Sequence, residues 1–114
     1  MTGVQTCALP ISGAIAAPDI AVEVLSPSTS VKDQREKLAL YERFGVREYW
    51  IIDPANKTLA VYTLPVKKGG KVPRDAMYGK PLVYGPEDTL TSRVLKGFEL
   101  PLEIVFPGET VNPI

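Results

Sequence analysis

Between Pro18 and Pro54 the chain reads as two short apolar strands joined by one amphipathic helix, and that run restricts the fold more than any other feature. Ile20-Ala21-Val22-Glu23-Val24-Leu25 is apolar on both alternating faces except at Glu23, the pattern of a strand covered on two sides. Ser26-Pro27-Ser28-Thr29-Ser30 stops it, and Ser30 with Asp33 three residues on makes a variant helix-start signature. The spacing predicts a helix from about Val31 to Phe44, with Gly45 as its cap. Arg47 to Asp53 follows as a second strand built on Tyr49-Trp50-Ile51-Ile52, and Pro54 ends it. Strand, helix and strand with short links form a β-α-β crossover, which places the chain in the α/β (α+β) class with a mixed sheet.

The rest extends that sheet. Pro54-Ala55-Asn56-Lys57 is a turn, and Thr58 to Leu64 is the second arm of a hairpin. Val66 to Asp75, rich in Lys, Gly and Pro, reads as an exposed loop whose Lys67, Lys68, Lys71 and Arg74 form a modest basic cluster. Tyr78, Leu82, Val83 and Tyr84 indicate one more strand before the Gly85-Pro86 turn, and Thr89 to Leu95 a further strand or edge segment. Gly97 to Leu102 leads into a short helical turn.

The first residues, Met1 to Ile11, match the translation of a common sequencing-library adapter, and residues 1–12 are set aside as a non-native segment. A secretory signal is the competing reading, but there is no basic n-region and no sustained apolar run. Setting the segment aside removes Cys7, the only cysteine, and the chain has no histidine. Thiol and imidazole ligands are then absent, and any metal must be one that accepts carboxylates and carbonyls, such as Mg²⁺, Ca²⁺ or Mn²⁺. Thirteen basic and thirteen acidic residues cancel, so any attraction to nucleic acid has to be local. No apolar run reaches membrane-spanning length, and a soluble, cytoplasmic protein is expected.

Two charged residues fall where apolar ones are expected. Glu23 sits inside a strand, where desolvating a carboxylate costs several kcal/mol unless it is paired or metal-bound (about 2–7 kcal/mol even for a neutral polar group). It is either a strand-end glutamate bonded to a nearby cation or a metal-ligating, acid–base group at a sheet edge. At about 100° per residue, Asp33, Lys37, Leu40, Tyr41 and Phe44 share one stripe of the helix, the stripe that should pack on the sheet. Gln34, Arg35, Glu42 and Arg43 face away. Lys37 therefore snorkels outward, pairs with Asp33 one turn earlier, or reaches a buried carboxylate. The start of such a helix lies near the C-terminal end of the preceding strand, where open α/β sheets keep their sites. Tyr49 and Trp50 read as core, and Asp53 as a turn-bonding residue.

Pro18-Asp19-Ile20-Ala21-Val22-Glu23-Val24-Leu25-Ser26-Pro27-Ser28-Thr29 resembles the signature of the Uma2 family (DUF820). So do Asp33, Lys37-Leu38, Leu40-Tyr41 and Gly45-Val46-Arg47-Glu48-Tyr49-Trp50-Ile51-Ile52-Asp53-Pro54, with a looser likeness through Gly97 to Leu102. That family is similar in fold to PD-(D/E)XK nucleases. The resemblance implies a restriction-endonuclease-like mixed sheet, incomplete at the N-terminus, with residues 13–114 forming the C-terminal part of one domain. It also implies Mg²⁺- or Mn²⁺-dependent hydrolysis of DNA phosphodiester bonds, with two acids holding the metal and a lysine by the attacking water. Carried over, Glu23 is the catalytic, metal-binding acid. Leu25 stands where the strand lysine is usual, which makes Lys37 a lysine moved onto the helix. Asp19, Asp33 and Ser26 stand as supporting residues. Asp19 does not serve as the first acid, because four strand residues separate it from Glu23 by about 13 Å between Cα atoms. The first acid is expected upstream, and this chain is therefore expected to be an inactive fragment. A non-catalytic nucleic-acid-binding or regulatory domain on the same fold is the alternative, since fold does not dictate function. The oligomeric state is open, a homodimer included.

Overall fold

The computed structural model describes residues 18–67, 69 and 71–107. The segment 1–12 with Cys7, and Lys68 of the basic loop, lie outside the described residues. Eight elements follow in order: β1 (Ile20–Val24), α1 (Val31–Arg43), β2 (Glu48–Asp53), β3 (Thr58–Thr63), β4 (Leu82–Tyr84), β5 (Thr89–Thr91), β6 (Glu99–Pro101) and α2 (Leu102–Val105). The main sheet has the order β1-β2-β3-β4. β1 runs parallel to β2 with Ala21 beside Tyr49 and Glu23 beside Ile51, while β3 and β4 add antiparallel. β5 and β6 pair antiparallel as a separate ribbon.

Register decides which side chains share a layer, because alternate residues of a strand point to opposite faces. One face gathers Ala21, Tyr49 and the half-buried Ile51 and Tyr62 against Tyr41, Val46 and Leu38. On the other, Trp50, Leu59 and Val61 pack with Leu90, Leu102 and Phe106 from the ribbon and α2. The sheet is thus sandwiched between α1 and the small ribbon, which explains why β1 is apolar on both sides. Fully burying a side chain such as Leu59, Leu90 or Leu102 contributes about 1.5–3 kcal/mol.

Local signals set the element ends. Ser30 Oγ accepts from the Asp33 backbone N–H at 3.0 Å, and the Asp33 carboxylate accepts from the Ser30 N–H at 3.4 Å, so the predicted start signature is a capping box. At the other end Gly45 has φ +77°, a conformation costly for any residue with a Cβ. Its N–H donates to the Glu42 carbonyl and that of Val46 to the Tyr41 carbonyl, closing a Schellman motif whose Tyr41 and Val46 side chains lie in one cluster. After β2, Asp53 accepts from the backbone N–H groups of Ala55 and Asn56 and from Asn56 Nδ2 at 2.8 Å, and so holds the hairpin turn.

Three expectations need correction. Tyr78 lies outside β4, docked through its hydroxyl on the Val46 carbonyl at 2.6 Å and through its N–H on Glu42 at 2.8 Å. Glu42 is accordingly half-buried and bonded rather than directed to solvent. The Thr89–Leu95 segment is strand only as far as Thr91. Beyond it Ser92 Oγ accepts from the N–H groups of Val94 and Leu95 and turns the chain. The buried side of α1 is also rotated by about 70° at about 100° per residue. Gln34, Lys37, Leu38 and Tyr41 face inward, whereas Asp33, Leu40 and Phe44 are exposed. The helix follows Tyr41, which packs against Tyr49 with ring centroids 4.7 Å apart.

Glu48 ties the layers together. It is 1% exposed, and its carboxylate accepts from Trp50 Nε1 (2.9 Å), Ser92 Oγ (2.9 Å), Arg93 N (2.8 Å) and Val94 N (3.2 Å). Three of those donors lie 44 to 46 residues away in sequence, in the loop that leaves β5. Removing the carboxylate strands buried donors, so Glu48→Ala should lower unfolding stability by about 3 kcal/mol in urea titrations. Glu48→Gln, which keeps one acceptor, should lose less. A loss under about 1 kcal/mol in the alanine variant would show that the ribbon is held without this latch.

Candidate functional site

The strand places Glu23 on the α1 side of the sheet, and the helix brings Lys37 over it. Glu23 is 3% exposed, and Lys37 Nζ donates to its Oε2 at 2.8 Å across 14 residues of sequence. Among the three readings of Lys37, the structure realises the buried carboxylate. The pairing follows from the crossover: a parallel β1–β2 pair requires a connection over one face, and α1 is that connection. The lysine side chain remains 36% exposed, so the pair has one end in the interior and one at solvent. It opens on a cavity of about 420 Å³ lined by Glu23, Ser28, Thr29, Asp33, Glu36, Lys37 and Leu40.

The remaining sequence-designated residues divide. Asp33 lines the same cavity, but its carboxylate takes part in the capping box. Asp19 precedes β1, is exposed, and lies 4.0 Å from Arg47 Nη1 rather than at the cavity. Ser26 exchanges hydroxyl contacts with Ser28 and Thr29 at 3.1 Å and lines a neighbouring groove of about 620 Å³ with Leu25, Pro27, Thr29, Gln34, Asp53, Pro54 and Ala55. Thr29 borders both spaces, so the groove and the cavity adjoin at the end of β1. Glu36, which sequence reasoning did not single out, lines the cavity and lies 3.9 Å from Lys32.

Beneath Glu23 lies a cluster of phenols, of which the sequence marked Tyr49 as core, Tyr41 as sheet-packing and Tyr78 as part of a strand. Tyr49 is buried against Tyr41, Tyr62 and Tyr78, with centroids 4.7, 6.3 and 6.5 Å away. Burial pushes the Tyr49 phenol well above the usual range, and the negative charge of Glu23 adds to that. Tyr78 is raised in the same direction, by burial and then by Glu42. Tyr49 and Tyr78 therefore keep their phenolic protons at physiological pH.

A family model described as Uma2, putative restriction endonuclease, matches residues 9–103. The chain belongs to the Uma2 family. No curated protein matches it. Among solved structures it is similar to a putative nuclease belonging to DUF820 from Anabaena variabilis, with 21% identity and a TM-score of 0.61. The match covers 82% of this chain and 46% of the Anabaena protein, so the chain spans less than half of that relative's length. At that identity the likeness establishes the fold: a nuclease-like mixed α+β sheet, the class read from the Uma2 signature.

The phenols carry a pH prediction. A folded-state value raised above the unfolded value near 10 means that the native state holds these protons more tightly. Their contribution is complete below pH 10 and is lost as pH rises from there toward the folded values. Thermal melts followed from pH 8 to 12 should fall steeply above pH 10, and Tyr49→Phe should flatten that fall. An identical alkaline slope in wild type and Tyr49→Phe would remove Tyr49 as its source.

Proposed function

We propose that this segment carries the lysine and one acid of a DNA endonuclease site, with Glu23 as the carboxylate and Lys37 as the ammonium. The observation that carries the reading is the 2.8 Å Lys37–Glu23 pair opening on a cavity at the C-terminal end of a parallel strand, within a Uma2 chain. A buried carboxylate fixes the position of the ammonium, so that its charge is already oriented when a phosphodiester approaches. Preorganised charge of that kind lowers the barrier to a transition state in which negative charge builds on phosphate oxygens. Lys37 bonded to a carboxylate acts as a charge and a donor, not as a base.

Metal dependence on Mg²⁺ or Mn²⁺ is part of the proposal, and Glu23 is the residue that would ligate the ion. Such an ion lowers the pKa of its bound water and neutralises phosphate charge. Among the described residues no group of three or more acidic, His or Cys side chains converges to hold a metal. Asp33 is engaged with Ser30, and Glu36 lies beside Lys32. These residues do not by themselves form a complete ligand set.

The reading makes this 114-residue chain inactive by itself. Among the described residues no group of three or more metal-ligating side chains gathers at Glu23, and the two other carboxylates of its cavity, Asp33 and Glu36, are engaged by Ser30 and Lys32. Incubated with supercoiled plasmid and Mg²⁺, the chain should leave it intact. Nicking that disappears in Lys37→Ala would overturn that expectation. In a full-length protein carrying this segment, Glu23→Ala and Lys37→Ala should each reduce plasmid cleavage by about 100-fold or more. Undiminished cutting would exclude both from the site. Tight DNA binding without cutting in the unmutated full-length protein would favour a non-catalytic role.

A further inference from the structure

At the opposite end of the sheet from Glu23, a second charged feature is left without a use. Arg47 precedes β2, and its Nε is sealed from solvent with no acceptor among the described residues. The side chain is only 30% exposed, and its nearest acidic neighbour, Asp19 Oδ1, is 4.0 Å from Nη1, too far for a hydrogen bond. A guanidinium donor buried without a partner is a costly arrangement, about 1–3 kcal/mol or more, and it calls for an acceptor.

The surroundings describe that acceptor. Arg47 lines a cavity of about 170 Å³ together with Glu48, Thr63, Leu64, Val66, Arg93 and Val94. That is several times the volume of one water, ~30 Å³. Arg93 brings a second guanidinium, exposed and without an ion pair among the described residues. Thr63 brings a hydroxyl. Two carboxylates face the arginines. Glu48 is occupied by four donors, two of them the N–H groups of Arg93 and Val94, and Asp19 is exposed to solvent. Asp19 reaches Arg47 only as a long, 4.0 Å ion pair and Glu48 bonds to neither guanidinium, so both forks remain able to bind an oxyanion. Planar guanidinium groups match the oxygens of phosphate with paired N–H donors, which a lysine cannot do.

We propose that Arg47 and Arg93 form a phosphate-binding site at the N-terminal end of β2, separate from the Glu23–Lys37 pair. The ligand is a phosphate oxyanion, either free or carried on a nucleic acid. The site does not depend on the nuclease reading. Along β1 the step from Asp19 to Glu23 is about 13 Å, so one phosphate could not occupy both places.

Inorganic phosphate titrated into the chain at constant ionic strength, with chloride as the balancing ion, provides the test. Phosphorus NMR line broadening and a rise in melting temperature should both saturate. Arg93→Gln, at an exposed position, should weaken that binding at least tenfold. Arg47→Lys, which keeps the charge but loses the Nε donor, should weaken it comparably while circular dichroism stays native. A 5′-phosphorylated dinucleotide binding more tightly than phosphate would identify the nucleic-acid source, and equal or weaker binding the free ion. A response to phosphate no greater than that to chloride, or one unchanged in both variants, overturns the proposal.

Discussion

A carboxylate in a protein interior must be given donors, and this fold has to do so twice, on opposite faces of one sheet. Glu23 faces α1 and Glu48 faces the ribbon, at 3% and 1% exposure. Leaving either uncompensated would cost several kcal/mol, a large part of the stability of a domain this small. Each therefore dictates where a neighbouring layer sits. Lys37 can reach Glu23 only if α1 lies across β1 in the observed phase. The N–H groups of Arg93 and Val94 can reach Glu48 only if the chain turns immediately after β5. The apolar contacts supply most of the driving force but are non-directional. The two glutamates supply direction.

Their environments separate structural from chemical use. Glu48 is saturated by an indole, a hydroxyl and two backbone donors fixed by the main chain, and it has no room to change partners. Glu23 has among its partners the tip of a flexible lysine that is itself partly in solvent, beside a cavity. A group that takes part in a reaction has to exchange partners as charge moves, which the first arrangement forbids and the second permits. That contrast supports the chemical role proposed for Glu23. The phenols below it keep water and competing charge from its inner side.

Much of this was legible from the residues, and the failures share one cause. The β1-α1-β2-β3 path follows from near-neighbour signals: apolar runs, a Ser30–Asp33 box, Gly45 with φ +77° and an Asp53 turn. Glu23 and Lys37 stood out because each broke a local pattern. Glu48 breaks the same pattern at the head of Tyr49-Trp50-Ile51-Ile52 and could have been flagged in the same way. Three of its four donors, however, lie more than 40 residues away. The phase of α1 was misread because a helical wheel weighs Leu40 and Phe44 equally with Tyr41. In the fold, the ring contact with Tyr49 and the Val46–Tyr41 hydrogen bond settle the phase. Tyr78 escaped for the same reason, since its partners are Val46 and Glu42 rather than a strand.

The zero net charge of the chain conceals a partition with consequences for any polyanion that approaches. Around the Glu23 cavity stand three carboxylates, Glu23, Asp33 and Glu36, against the single ammonium of Lys37. Around the Arg47 cavity stand two guanidinium groups, with the adjacent Glu48 already saturated by donors. Charges interact effectively in saline only over about 8–10 Å, so each end of the sheet presents its own potential rather than the sum. On that count the β2 end favours the phosphate proposed for Arg47 and Arg93, and the β1 end disfavours one unless positive charge is added beside Glu23. A divalent cation is the economical source of that charge in a site with oxygen ligands alone. If the proposed cleavage takes place at the acidic end it needs that added charge, whereas the site proposed at Arg47 and Arg93 needs none.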